Sequence, residues 1–286
     1  MRPRIVNFFE SIVGTGIFVP DYAFLYSISI VIGIYLVIRQ AEKTGLDMKS
    51  VFRACLITVG FAFISARLYV ILQHLDYYLQ QPLEIFKYWK GGTASFGAYI
   101  GGAIAAIVAV KWQRLSATQF LDGCAPAIAL GITFGRLGCF LNGCCYGKIS
   151  NLPWALRFPE GSGPYYVHLR EGLITPHQLS LPVHPTQLYE AIYGLVLFGV
   201  IMIYRKHQKH DGELAALLFI LYPLGRFLNE FLRGDDRGSV FFLSLPQFFS
   251  GVAATLAVAF LAMKHRALRH TNTPAKPNFD QELAKR

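Results

Sequence analysis

Apolar residues run along this chain in long blocks separated by short charged segments. A bilayer core takes roughly 17–25 apolar residues as helix. Seven blocks approach that length: Asp21–Ile38, Val51–Leu72, Ser95–Val110, Phe120–Leu141, Gln187–Tyr204, Glu213–Phe231 and Phe241–Met263. The third is short and rich in Gly and Ala. Its Gly97-x-x-x-Gly101 spacing, like Gly131-x-x-x-Gly135 in the fourth, predicts close helix–helix approach. The pattern predicts an all-α, polytopic integral membrane protein with about seven transmembrane helices. It shows no internal repeat of the kind that builds secondary transporters.

Composition agrees. Hydrophobic residues make up 53% of the 286 and charged residues only 15%, with a mean hydropathy of +0.39, whereas soluble domains carry about 25% charge. A net charge of +10 invites a nucleic-acid reading. The charges, however, sit in short segments between apolar blocks, which is topology and not a nucleic-acid surface. Lys and Arg concentrate after the first, third, fifth and seventh blocks, so the positive-inside rule puts the N-terminus outside and the C-terminus in the cytoplasm. Residues 1–265 read as one transmembrane domain. Within it, Met1 to Pro20 reads as an interfacial lead-in, since Glu10 interrupts any signal-peptide core. The long connection at residues 142–186 reads as a small external subdomain and residues 266–286 as a polar cytoplasmic tail.

Three arginines, Arg67, Arg136 and Arg226, fall well inside apolar blocks, away from their ends. Each costs at least about 2.5–3.5 kcal/mol to place at mid-membrane, so each calls for a function and a partner. Topology carries them toward the outer leaflet, beside three polar runs. The first is Gly135-Arg136-Leu137-Gly138-Cys139-Phe140-Leu141-Asn142-Gly143, and the second is His184-Pro185-Thr186-Gln187-Leu188-Tyr189-Glu190. In the third, Tyr222, Arg226, Glu230 and Arg233 recur at helical spacing and share a face. An Arg–Glu network that only ties helices together would also use Arg67, Glu190, Glu230 and Arg233. The surplus of arginine over carboxylate points further, to an anion, and at that depth to a phospholipid phosphate, which the guanidinium fork suits. Gln187 and Tyr189 can anchor their helix or bond the ligand. His184, before Pro185, reads as a capping or positioning residue and as a catalytic one. Of the five cysteines, Cys139, Cys144 and Cys145 cluster at a helix end. With no paired CxxC spacing, they read as small buried residues and not as metal ligands.

These three runs, in this order and spacing, resemble the bacterial prolipoprotein diacylglyceryl transferase family, over about Phe24 to Met263. Arg67-Leu68-Tyr69 is a weaker fourth match. The resemblance implies a multi-pass enzyme of the bacterial inner membrane with a small periplasmic head. Such an enzyme moves the diacylglyceryl group of phosphatidylglycerol onto the lipobox cysteine of a prolipoprotein, forming a thioether and releasing glycerol phosphate. No cofactor or metal is required by that chemistry. The partners implied are phosphatidylglycerol, the lipobox peptide and membrane lipid. By resemblance, Arg136 and Arg226 correspond to the essential arginines. Asn142, Gln187, Tyr189, Arg67, Tyr222, Glu230 and Arg233 are candidates for substrate binding. One run departs from the family: in Gly91-Gly92-Thr93-Ala94-Ser95-Phe96-Gly97-Ala98, Phe96 stands at the family's His or Tyr position and cannot exchange a proton. Tyr99 or His184 is then the candidate proton acceptor. The alternative is a divergent relative, or a protein that holds phospholipid with a different acceptor or without transfer.

Overall fold

A computed structural model of the chain describes residues 21–87, 94–234, 239–240 and 243–271. Their structure is almost wholly helical. Five helices are long and apolar enough to cross a membrane: Phe24–Thr44, Met48–Gln73, Ala117–Asn142, Thr186–His207 and Pro246–Lys264. Of the other two blocks, one forms a shorter apolar helix, Phe96–Trp112. The other, Glu213–Glu230, carries Glu213, Arg226 and Glu230 along its length. The lead-in Met1 to Pro20, Gly91–Thr93 and the tail beyond Thr271 lie outside the described residues.

The described residues divide into two compact units, one of them Ile34–Gly123. In it, helix α2 (Met48–Gln73) starts where the Asp47 carboxylate accepts from the Ser50 amide at 2.9 Å, an N-cap. The short α3 (Leu75–Gln80) and a 3₁₀ turn (Pro82–Phe86) follow. Next comes α4 (Ser95–Trp112), which packs on α2 as the Gly97–Gly101 spacing predicts. A Cβ on Gly97 would lie 2.5 Å from the Ser65 carbonyl oxygen and 2.6 Å from Tyr69 Cβ, and one on Gly101 would collide with the Ser65 side chain. Gly97→Val should therefore overpack this contact by about 1–3 kcal/mol, seen as a lower Tm of the detergent-solubilised chain. Gly135→Ala should produce no such loss, because a Cβ there meets nothing within 4 Å. That openness corrects one expectation: Gly131-x-x-x-Gly135 is not a contact face. Gly131 has only ordinary contact with Ser29 at 3.5 Å.

The other unit comprises the described residues up to Gly33 and from Cys124 onward. It holds the C-terminal part of α5 (Ala117–Asn142) and three further long helices: α7 (Thr186–Tyr204), α8 (Glu213–Glu230) and α9 (Leu245–Thr271). The first part of α1 (Asp21–Thr44) also belongs here. Close approach of α7 to α5 comes from Gly194, whose Cβ would lie 3.0 Å from the Ala129 carbonyl oxygen. Thr133 Oγ1 fills the space beside it and donates to the Ala191 carbonyl at 3.2 Å. Below, Ala125, Ala129, Leu197, Ile201, Leu214 and Leu218 form a closed core. The last apolar block begins later than expected. Leu243–Ser244 pairs with Ser239–Val240 in a small antiparallel hairpin, and α9 starts only at Leu245.

The 143–185 connection is ordered around a second cluster, Tyr146, Phe158 and Val183, with one short helix, α6 (Gly163–Arg170). His168 on α6 is 3% exposed, and its Nδ1 accepts from the Leu181 amide at 3.1 Å. Burial holds its pKa below the ordinary value, with Glu171 opposing weakly. As pH falls, the unfolded chain takes up this proton first. Stability is thus intact above about pH 6.5 and lost below it, down through the depressed pKa. Limited proteolysis of this segment should quicken between about pH 7 and 5, and His168→Asn, which keeps an acceptor that does not titrate there, should flatten the profile. Equal profiles would contradict the assignment.

Candidate functional site

Three segments far apart in sequence are laced together by backbone hydrogen bonds at one end of the second unit. Gly147 N–H donates to the His184 carbonyl at 3.0 Å, and His184 N–H to the Lys148 carbonyl at 3.0 Å. On the opposite edge, Lys148 N–H donates to the Leu232 carbonyl at 2.8 Å, and Gly234 N–H to the Tyr146 carbonyl at 3.2 Å. Gly147 permits this, since a Cβ on it would lie 2.5 Å from His184 Cβ and 2.6 Å from the Leu232 carbonyl oxygen. Side chains add two clamps: Thr186 Oγ1 donates to the Cys145 carbonyl at 2.8 Å, and Gln187 Nε2 to the Cys144 carbonyl at 2.7 Å. The end of α5, the start of α7 and the end of α8 are thus held in register.

The register brings the charged side chains together around Glu190. One carboxylate oxygen pairs with Arg136 Nε. The other pairs with Arg226 Nη1 at 3.3 Å and accepts from Asn229 Nδ2 at 3.0 Å. Arg226 Nη1 also meets Glu230 Oε2 at 2.5 Å, one helical turn along α8, and Arg233 Nε lies 3.9 Å from the same oxygen. Glu190, Arg226 and Arg233 are buried. Three guanidiniums therefore face two carboxylates, leaving one net positive charge in a site largely shielded from water. Neither central arginine commits its whole fork. Arg136 reaches Glu190 through Nε, and Nη2 of Arg226 is buried without a hydrogen-bond acceptor among the described residues. A buried donor left so costs about 1–3 kcal/mol, a deficit that an anion would remove. Gln187 Oε1 and Asn229 Oδ1 are buried acceptors lacking a donor among the described residues.

Residues 11–263 match the family model described as prolipoprotein diacylglyceryl transferase. The chain belongs to that family. It is 31% identical over 251 residues to the phosphatidylglycerol–prolipoprotein diacylglyceryl transferase of Clostridium tetani, covering 87% of this chain and 92% of that protein. Identity to the protein of the same name from Pasteurella multocida is 33% over 219 residues, 75% of each chain. The Erwinia tasmaniensis protein, also of that name, is 33% identical over 248 residues, 81% of this chain and 85% of that one.

Within this member of the diacylglyceryl transferase family, the other expected residues fall in several places. Tyr189 accepts from Trp154 Nε1 at 2.8 Å, and its hydroxyl lies 3.3 Å from His184 Nδ1. His184 does not cap α7: Pro185 holds the N-cap position, the helix begins at Thr186, and the imidazole goes to Tyr189 instead. Tyr222 packs partly buried against the core. Asn142 is exposed at the end of α5 and lines a cavity with Phe140, Gly143 and the 156–162 loop. In the Ile34–Gly123 unit, Arg67 is buried and donates through Nη2 to the Glu84 carbonyl at 2.5 Å and through Nε to the Ile85 carbonyl at 3.1 Å. Its guanidinium also lies over the Tyr78 ring at 5.3 Å. Phe96 sits in the first turn of α4, edge-on to Tyr69 at 5.6 Å, and Tyr99 is 68% exposed. Tyr193 lies outside the three sequence runs. Its hydroxyl donates to the Leu221 carbonyl at 2.5 Å, in the stretch of α8 that carries Pro223, and its ring fills the space that Gly225 leaves open beside Arg226. The bare Gly-Arg step is the signal that marks it.

Proposed function

We propose that this chain transfers the diacylglyceryl group of phosphatidylglycerol to the lipobox cysteine thiol of prolipoproteins in the bacterial inner membrane. The reading rests on family membership, and in the structure on one observation: Arg136 and Arg226 share Glu190, yet keep donors for a further anion. The phosphodiester is that anion. Arg136 and Arg226 bind it and stabilise the charge that gathers on the leaving phosphate as the glyceryl carbon–oxygen bond breaks. Glu190 holds both guanidiniums in place. Gln187 and Asn229 offer acceptors to the hydroxyls of the glycerol headgroup, while Tyr189, Asn142, Tyr222, Glu230 and Arg233 complete the binding set. The thiol sulfur forms the new bond to carbon, glycerol phosphate departs, and the thiol proton goes to His184. For His184, the Tyr189 hydroxyl holds one ring nitrogen and the other takes the proton. All seven apolar blocks then span the membrane, with the 142–186 segment in the periplasm, the N-terminus outside and the C-terminus in the cytoplasm.

Purified chain incubated with phosphatidylglycerol and a lipobox peptide should raise the peptide mass by one diacylglyceryl group, and a Cys→Ser peptide should stay unmodified. Bound lipid with no mass increase would favour the lipid-holding alternative, which the aromatic Phe96 at the family's proton-exchanging position keeps in view.

A further inference from the structure

Cys139, Cys144 and Cys145 come together in a way their spacing does not announce. Cys139 lies in the last turn of α5, and the chain then reverses through Gly143 at φ 69° and Cys145 at φ 62°. A non-glycine residue rarely adopts this left-handed conformation, and Cys145 is held there by the Thr186 hydroxyl on its carbonyl. Cys144 is fixed by its own amide, which donates to the Cys139 carbonyl at 3.1 Å, and by Gln187 on its carbonyl. The result is three Sγ atoms within 4.8 Å of one another, with no His, Asp or Glu joining the group among the described residues. None of the three is in a disulfide.

Three converging thiols held from outside suit a soft cation. A zinc–sulfur bond of about 2.3 Å sets tetrahedral sulfur–sulfur separations of about 3.8 Å, so the trio closes on the ion by about 1 Å or less. Three thiolates around a divalent ion carry one net negative charge, and the guanidiniums of Arg136 and Arg233 are close enough to interact with Cys145. Three protein ligands also leave a fourth position open, as in catalytic zinc sites and unlike closed structural ones.

We propose that Cys139, Cys144 and Cys145 bind one zinc ion whose fourth ligand is the acceptor cysteine of the lipoprotein peptide. The proposal rests on the transferase reading and supplies what Phe96 does not, a means of removing the thiol proton. Coordination deprotonates a thiol outright, and the proton passes to solvent or to His184. The zinc-bound sulfur then donates its electron pair to the glyceryl carbon. The carbon–oxygen bond breaks toward the phosphate held by Arg136 and Arg226, and the thioether product, a weaker ligand, leaves the metal. Zinc stays divalent throughout. At neutral pH only a few per cent of a free thiol is thiolate, so coordination enlarges the reactive fraction at most roughly thirtyfold.

The test uses the full chain in detergent, stripped with a chelator under reducing conditions and reloaded with zinc. One zinc per chain is expected. It should persist in Cys55→Ser/Cys124→Ser and be lost from the Cys139→Ser/Cys144→Ser/Cys145→Ser variant. Cobalt(II) in place of zinc should give a thiolate charge-transfer band that grows when a cysteine lipobox peptide is added and not with its serine counterpart. That readout needs no transfer, so it also stands if the triple variant fails to fold. Stripping should slow transfer roughly tenfold or more, and zinc should restore it. No zinc uptake, uptake of copper(I) alone as a three-coordinate ion, or a cobalt band indifferent to the peptide thiol would overturn the site. Transfer at full rate without metal would overturn its role and leave the transferase reading intact. Zinc and peptide thiol bound without any lipid transfer would overturn the transferase reading and leave the site standing.

Discussion

Arg226→Ala is expected to reduce diacylglyceryl transfer by about 10²–10³-fold or more, the cost of removing one preorganised donor from a developing negative charge. On the proposed reading the geometry of this arginine explains the size of the loss. Its Nη1 is tied to both Glu190 and Glu230, so the guanidinium cannot swing away, and its Nη2 is buried without an acceptor among the described residues. A group so fixed adds no reorganisation when charge appears beside it, which is why it is worth more than a flexible cation. Arg226→Lys should recover little, because a point charge cannot bind Glu190, Glu230 and a phosphate oxygen from one plane. Peptide mass shift at saturating phosphatidylglycerol, alongside a Tm in detergent, separates lost chemistry from lost folding. Transfer at the wild-type rate by Arg226→Ala would remove the arginine from the reaction.

The second large effect belongs to Glu190, and it falls on stability. Glu190→Ala should destabilise the chain by about 3–5 kcal/mol, the range seen when one partner of a buried ion pair is removed. The carboxylate touches Arg136, Arg226 and Asn229 at once and is itself 3% exposed. Without it, two guanidiniums from α5 and α8 face each other with only Glu230 and its neighbours to offset them. Glu190→Gln should lose less, because the amide oxygen still accepts one hydrogen bond while the charge imbalance remains. The measurement is the Tm of each variant in detergent, with phosphatidylglycerol added as a rescuer: a phosphate supplied from the lipid should restore more to Glu190→Ala than to the wild type. Equal Tm values for Glu190→Ala and wild type would show that the carboxylate does not hold the network.

Much of this was legible in the sequence, because two signals there are physically direct. Apolar blocks of spanning length located five of the helices to within three residues at each end, while α1 runs on to Thr44 and α9 spans Leu245–Thr271. The i, i+4 spacing of Arg226 and Glu230 holds on α8, but the helix ends at Glu230 and Arg233 reaches the same carboxylate from beyond it. What was not legible depends on which surface meets which. Arg67 reads like the other buried arginines, yet it spends donors on the carbonyls of Glu84 and Ile85, which no spacing rule links to it. Gly131-x-x-x-Gly135 matches a packing motif as well as Gly97-x-x-x-Gly101 does, but only the latter faces a neighbouring backbone. The convergence of three thiols arises from a left-handed Cys145, a backbone state that residue identity does not encode. Glu190 reads in the sequence as one of two carboxylates in an arginine network, and its centrality comes from the meeting of three chain segments.

The ladder that joins those segments has a consequence for exchange of parts between relatives. The 149–182 excursion leaves beside Lys148 and returns beside His184, and these two residues are hydrogen-bonded to each other through the backbone. Ile149 and Val183 pair next to them, closing its neck. A loop closed at its neck behaves as a cassette: grafting the excursion of one relative onto another at this bridge would alter the cap while leaving the arginines and Glu190 anchored by the rungs beneath.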